Sequence, residues 1–201
     1  IGLVTSMLGV GGGFLLVPML MFSGLSAHSA GGPGVSSAML TGLSSLIEYG
    51  RQGRVDWKLA LILEGLTVPG SIIGSYATNY VSPRSLELLF AFMLIIVSSI
   101  MLRESPANLK WVFPTTGWMR KLVDRGGGEF SYTVSLAPAF MFSFLAGVSV
   151  GFFGISGGIL KVPILVFSGV PVQVAVATSS LMISLTSATA FTCHTLSLLH
   201  I

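Results

Sequence analysis

The sequence predicts an all-α, polytopic integral membrane protein built from two related helical repeats with broken or re-entrant helices that contain glycine. Composition, a succession of apolar runs and an internal repeat support this class. Hydrophobic residues make up 52% and charged residues 8% of the 201 residues, and the mean hydropathy is +0.88. Soluble domains carry about 25% charged residues. An ordinary soluble globular domain is therefore excluded.

Six apolar runs are candidate membrane segments, because a transmembrane helix needs about 20 mostly apolar residues. In chain order they are Ile1 to Phe22, Val35 to Tyr49, Trp57 to Tyr80, Leu86 to Leu102, Leu136 to Phe167 and Val172 to Leu199. As one straight helix the fifth run would be about 48 Å long, well beyond about 30 Å of hydrocarbon. We therefore expect it to turn back between Gly154 and Gly158, which would invert the second half relative to the first. Four full crossings per unit would instead make the halves parallel.

The internal repeat aligns Gly9 to Pro18 with Gly154 to Pro163, at an offset of 145 residues. Further on, Ser36 to Met39 aligns with Ser179 to Met182 at an offset of 143. The second copy is shorter by roughly two helices, so we interpret the sequence as a fragment. The predicted units are a first membrane repeat (1–103), a cytoplasmic interfacial loop (104–135) and an incomplete second repeat (136–201).

Positive charge predicts the orientation. Residues 50–58 and 103–125 contain eight of the ten Lys and Arg residues, and the positive-inside rule places both loops in the cytoplasm. The formal net charge of +3 therefore reflects membrane orientation, and no nucleic-acid partner is expected. We expect a multi-pass protein of the plasma or inner membrane. Aromatic and apolar residues in the second loop predict an interfacial segment, with a disordered loop as the alternative: Trp111, Val112, Phe113, Trp118, Met119 and Leu122.

Glycine clusters occupy equivalent places in the two repeats, five residues before Pro18 and Pro163. Each glycine weakens a helix by about 1 kcal/mol relative to alanine, and irregular backbone at membrane depth occurs only beside protein or a watery cavity. Helix breaks repeated in both halves of a transporter point to the binding site. The candidate substrate-binding residues are Gly11, Gly12, Gly13, Ser156, Gly157 and Gly158. Close helix packing through small residues is the alternative.

A family resemblance rests on these paired glycine segments, the Ser/Thr-rich helix after each of them and the connector Arg51-Gln52-Gly53-Arg54-Val55-Asp56-Trp57. Together they resemble the sulfite exporter TauE/SafE family, also called the toluene-sulfonate uptake permeases, over essentially the whole chain. The resemblance implies a secondary transporter of sulfite, organosulfonates or related small anions. The chain departs from the family in lacking the last helices and in an expanded loop from Arg103 to Ser131.

Lys161 replaces Leu16 of the first repeat within an apolar stretch. Because an intramembrane charge costs at least about 2.5 kcal/mol on insertion scales, we predict that Lys161 is a countercharge for the substrate. A lysine that snorkels to the surface is the alternative. Glu64 is a candidate for proton coupling, unless it is an interfacial carboxylate paired with a nearby basic residue. Hydroxyl side chains after each break could also bind substrate or pack between helices: Ser36, Ser37, Thr178, Ser179 and Ser180.

Other chemistry is not indicated by the sequence. Cys193 is the single cysteine, and the three histidines lack metal-binding spacing. No cofactor, metal or catalytic activity is expected. The expected partners are a small anion and the lipid bilayer, and homo-oligomerisation is left open. Two rivals remain: a membrane-embedded accessory or assembly protein, and a passive anion channel.

Overall fold

Helices make up most of the described chain, which comprises residues 11–103, 117–154 and 157–199 of a computed structural model. These residues form seven helices and two strands: α1 (Gly13–Phe22), α2 (Ala27–Gln52), α3 (Trp57–Thr78), α4 (Pro83–Arg103), β1 (Trp118–Val123), β2 (Glu129–Val134), α5 (Leu136–Phe153), α6 (Gly158–Phe167) and α7 (Val172–Leu199). Three of the described helices contain a segment long and apolar enough to cross a membrane: Trp57–Thr78, Leu136–Phe153 and Val172–Cys193.

The start of α2 differs from the sequence prediction. The segment expected to begin at Val35 starts at Ala27, and the Ser26 side chain caps it by accepting a hydrogen bond from the Ser29 N–H at 3.3 Å. The glycines before Val35 lie within α2, and Gly34 packs against the end of α5. A Cβ on Gly34 would lie 2.5 Å from the carbonyl oxygen of Gly154, too close for any larger residue.

The long apolar run after the hairpin is divided into α5 and α6. Helix α5 ends at Gly154, which has a left-handed φ of +64°, and Gly157 is the N-cap of α6. The Ser135 N–H before α5 donates to the carbonyl of Ser168 after α6 at 3.2 Å. The two ends of the run therefore meet, and α6 returns toward the end from which α5 started.

Glycines allow α3 and α5 to pack backbone against backbone. A Cβ on Gly147 would overlap the carbonyl of Thr67, and one on Gly70 would lie 2.5 Å from the carbonyl oxygen of Phe144. The Thr78 hydroxyl donates to the carbonyl of Phe152 at 2.9 Å. Because lipid supplies no hydrophobic driving force between helices, such close van der Waals packing is a main source of helix association in membranes.

Helices α2 and α7 cross in opposite directions. A Cβ on Gly42, in the middle of α2, would lie 2.8 Å from the Ser184 hydroxyl of α7. Just past the end of α2, the Asp56 N–H donates to the Thr178 hydroxyl at 3.1 Å. Positions later in α2 thus meet positions earlier in α7. Helix α3 runs parallel to α7, since Asp56 at its start lies beside Thr178 and Glu64 lies beside Thr186.

A β-hairpin occupies the part of the predicted interfacial loop that the structure describes, so the disordered-loop alternative is wrong there. Strands β1 and β2 pair antiparallel with Arg120 opposite Tyr132. Their connection is closed by the Asp124 N–H, which donates to the carbonyl of Gly128 at 2.9 Å, and Gly127 has a φ of +84°. Trp111, Val112 and Phe113 lie outside the described residues.

Asp56 attaches this hairpin to the helices. Its carboxylate accepts hydrogen bonds from Arg120, from the Tyr132 hydroxyl at 2.7 Å and from the Leu59 N–H at 3.1 Å, where it is the N-cap of α3. Burial alone would raise the pKa of Asp56, but these hydrogen bonds outweigh burial and hold the pKa below its usual value. Burial, followed by the hydrogen bond to Asp56, raises the pKa of Tyr132. A second ion pair joins Arg54 to Asp124 at 2.8 Å.

Replacing Arg120 by Met should detach the hairpin. Removal of one partner of a buried ion pair costs about 3–5 kcal/mol, and the Asp56 side chain is fully buried. Hydrogen exchange of the β2 amides should become faster in this variant than in the wild-type protein. Lys121→Met, one residue along β1 on its exposed side, is the matched control and should leave exchange unchanged. Equal exchange in the two variants would contradict the assigned role of Arg120.

The contacts of Asp56 also predict that the hairpin is held less stably at acid pH. Because the folded pKa of Asp56 is depressed, its stabilisation is complete above about pH 4, the ordinary aspartate pKa, and is lost as the pH falls through the lower folded value. The protection of the β2 amides, which is the factor by which they exchange more slowly than an unfolded chain at the same pH, should therefore fall below about pH 4 in the wild-type protein. In Arg120→Met this loss of protection at acid pH should be smaller than in the wild-type protein. A loss as large as that of the wild-type protein would contradict the role assigned to the contact between Asp56 and Arg120.

Candidate functional site

Lys161 lies in the first turn of α6 with its side chain directed into the helix bundle. Only 1% of the residue is exposed. Its ammonium nitrogen donates to Glu64 Oε1 at 2.6 Å, to the carbonyl of Met182 at 2.9 Å and to the Thr186 hydroxyl. A lysine ammonium has three protons to donate, so all three are used, and the snorkelling alternative does not fit this geometry.

Glu64, on α3, receives hydrogen bonds on both carboxylate oxygens. Lys161 donates to Oε1, and the Thr186 hydroxyl lies 2.7 Å from Oε2. Glu64 is 4% exposed, and its basic partner Lys161 is separated from it by 97 positions in sequence. Three helices, α3, α6 and α7, thus contribute to one buried polar cluster of Glu64, Lys161 and Thr186.

Thr186 was not singled out from the sequence. It lies among many hydroxyl residues of α7, and no spacing relates it to Lys161 or Glu64. Its hydroxyl is within hydrogen-bond distance of Lys161, Glu64 and the carbonyl of Met182. Only the contacts between helices distinguish Thr186 from the other hydroxyl residues of α7.

The predicted hydroxyl residues lie away from this cluster. Thr178 is two turns before Thr186, about 12 Å along the helix, and its hydroxyl accepts the Asp56 N–H. Three others donate to carbonyls of their own helices: Ser36 to Gly32, Ser179 to Val176 and Ser180 to Ala177. Ser37 packs against Gly12, where a Cβ would overlap its hydroxyl. These contacts are typical of packing between membrane helices.

The second glycine cluster adjoins Lys161. A Cβ on Gly157 would lie 3.2 Å from Lys161 Cε and 2.6 Å from a methyl group of Val150, so the glycine leaves space for the lysine stem. Gly158 is the first residue of α6, and Ser156 lies outside the described residues.

The first cluster adjoins hydroxyl groups instead. The Gly12 N–H donates to the Thr41 hydroxyl of α2 at 2.8 Å. Gly11 has a φ of +79°, and Gly13 begins α1. Helices α1 and α6 each contain 10 residues with one internal proline. Of the two clusters, the one at α6 lies against a charged side chain.

Metal chemistry has no visible support in the described part of the chain, where no group of three or more His, Cys, Asp or Glu residues is placed to hold an ion. The distinguishing group is the buried ammonium. A charge inside apolar helices is costly, and in membrane proteins such residues mark ion or substrate pathways. A multi-spanning helical protein with a charged pair beside a helix that turns back has the features of a membrane transporter.

Comparison with known proteins agrees with that class. The chain belongs to the Sulfite exporter TauE/SafE family, whose family model matches residues 1–201. It is 32% identical to a probable membrane transporter protein, YunE, of Bacillus subtilis, over 98% of this chain and 75% of the relative. A probable membrane transporter protein of Methanocaldococcus jannaschii is 26% identical over 93% of this chain and 66% of its own length. No solved structure matches.

The buried pair predicts a distinct pattern of stability. Lys161→Met leaves the Glu64 carboxylate buried without its cation and should lower the free energy of unfolding by about 3–5 kcal/mol. Adding Glu64→Gln removes the unpaired charge and should recover most of the loss, because apolar or neutral replacements of both partners are tolerated. Unfolding by SDS in mixed micelles measures both values. Additive losses in the double variant would contradict direct pairing.

Proposed function

We propose that the protein is a secondary transporter of small anions, most directly sulfite, organosulfonates or related sulfur-containing anions, and that Lys161 is the substrate's countercharge. The observation that carries the proposal is a buried ammonium at the start of α6. The chain's family description names sulfite export, and its relatives are described as probable membrane transporters.

The surroundings of Lys161 suit an anion. The N-terminal end of a helix carries a partial positive charge and backbone N–H donors, and Lys161 lies in the first turn of α6. Gly157 is the N-cap of α6 and adds no side chain of its own at this end. An oxyanion that enters here would meet the ammonium and the helix end together. We assign Gly157, Gly158 and Lys161 to the substrate site on this basis.

Alternating access is supported by the direction of the helices. Helices α2 and α7 follow equivalent glycine segments in the two repeats, yet they run antiparallel, as an inverted repeat requires. Lys161 is closed off from solvent, so an anion reaches it after a rearrangement rather than through an open pore. This favours a transporter over a passive channel. A purely structural protein would have no need of the pair, because neutral residues pack there at equal or lower cost.

The test is anion transport by liposomes that contain the purified protein. Wild-type protein should show saturable sulfite uptake, and Lys161→Gln with Glu64→Gln, a neutral pair of similar size, should reduce uptake to that of empty liposomes. Lys58→Gln, at an exposed lysine early in α3, is the matched control and should transport normally. Normal uptake by the double variant would refute Lys161 as countercharge. Uptake that does not saturate would favour a passive channel. If folded wild-type protein shows no uptake, an accessory protein would be favoured.

The inverted arrangement predicts opposite exposure of two sites. Single cysteines at Gln52 and Leu196, in a Cys193→Ser background, should react with impermeant reagents from opposite faces of the membrane. Gln52 ends α2 and Leu196 lies near the end of α7, and these helices run in opposite directions. Labelling of both sites from the cytoplasmic face alone would establish parallel halves.

A further inference from the structure

We propose that Glu64 is an internal substitute for the substrate, so that each monovalent anion bound at Lys161 brings one proton onto Glu64. The substrate anion takes the place of the Glu64 carboxylate beside the ammonium. The coupling ion is therefore the proton. This inference rests on the proposed function and extends it from the kind of substrate to the means of coupling.

The first step concerns the hydrogen bonds of Lys161. Its three protons are donated to Glu64, Thr186 and the carbonyl of Met182. A substrate anion finds no unused donor on this ammonium and must replace one acceptor. Glu64 is the one negatively charged acceptor of the three, and so it is the group with which an anion competes.

The second step is charge balance. The pair of Lys161 and Glu64 is neutral overall in the buried site. Addition of a monovalent anion would leave a net negative charge in an apolar interior, which burial strongly opposes. Protonation of Glu64 restores neutrality, because the loaded site then holds an ammonium, an anion and a neutral carboxylic acid. The empty and the loaded site are both neutral.

The third step counts protons. Relative to a neutral Lys161 amine and an ionised Glu64 carboxylate, the empty pair holds one additional proton. This proton resides on Lys161 or is shared between the two residues. The loaded site holds two, one on each residue. Binding therefore takes up one proton from solution in either case, and no oxidant or other reactant is involved.

Thr186 fits both charge states of Glu64. While Glu64 is ionised, the hydroxyl can donate its proton to Oε2 at 2.7 Å. When Glu64 is protonated, the carboxylic acid can donate to the same hydroxyl oxygen, and the hydroxyl proton can turn to the carbonyl of Met182 at 2.8 Å. A hydroxyl both donates and accepts, so Glu64 Oε2 and the Thr186 hydroxyl stay hydrogen-bonded to each other in both charge states.

Few other groups could take this proton. Within the described residues, neither Lys161 nor Glu64 forms an ion pair with any further side chain. Helix α5 contains no charged residue, and α7 contains no Asp, Glu, Lys or Arg. Lys58 on α3 is exposed, as are Glu48 and Arg51 on α2. Glu64 is accordingly the carboxylate that faces the site.

The experiment measures proton uptake when methanesulfonate binds the full chain in weakly buffered detergent solution with a pH indicator dye. Methanesulfonate is the anion of a strong acid and exchanges no proton itself between about pH 5 and 8. Wild-type protein should take up about one proton per anion bound. Its affinity should fall about tenfold per pH unit wherever Glu64 is ionised in the empty site.

Glu64→Gln removes the carboxylate with which the anion competes and should bind methanesulfonate more tightly; a proton that this variant still takes up goes to Lys161, whose buried ammonium has lost its charged partner. Glu48→Gln removes an exposed carboxylate instead and should behave as wild type. Binding by wild-type protein without proton uptake would overturn the coupling role of Glu64 and leave the proposed function standing, whether or not Glu64→Gln folds. Absence of binding by folded wild-type protein would instead overturn organosulfonates as substrates, and this inference with them.

Discussion

The buried ion pair between Lys161 and Glu64 is the constraint on which the arrangement of the helices depends. A charge at this depth is tolerated only with a partner and full hydrogen bonding, and the partners come from α3 and α7. Helix α6 must therefore start inside the bundle, beside both of these helices. Gly157 belongs to the same constraint, because a Cβ there would lie 2.6 Å from a methyl group of Val150 and 3.2 Å from Lys161 Cε.

Glycine has two separate functions in this chain. They explain why glycines end one helix and occur inside others. At Gly154 the left-handed backbone ends α5 and lets the chain turn back. At Gly70 and Gly147 the helix continues, and the missing side chain lets α3 and α5 touch at their backbones. The first function determines where α6 begins, whereas the second fixes the distance of α3 from α5. Both are needed to bring Glu64 to Lys161.

The sequence predicted the membrane class and the family, and it singled out both members of the buried pair, because charge within apolar runs is visible without any structure. It did not predict their pairing, since side chains 97 positions apart share no local periodicity. Thr186 was missed for the same reason. The hairpin was missed because its aromatic residues were interpreted as interfacial anchors. The alternation of polar and apolar residues along Glu129–Val134, directly after a glycine-rich turn, was the available signal.

The two ends of the described bundle are held by different interactions, and this bears on how the proposed transporter could alternate. At the hairpin end, Asp56 binds Arg120 and Tyr132 from the loop. At the other end, where α5 finishes, Phe153 packs on Phe90 with ring centroids 5.6 Å apart. Inverted repeats alone would make the two ends nearly equivalent, whereas a hairpin bound at one end adds hydrogen bonds that opening there must break. In the proposed transporter, opening at the hairpin end would therefore have to break these hydrogen bonds or move the hairpin together with Asp56.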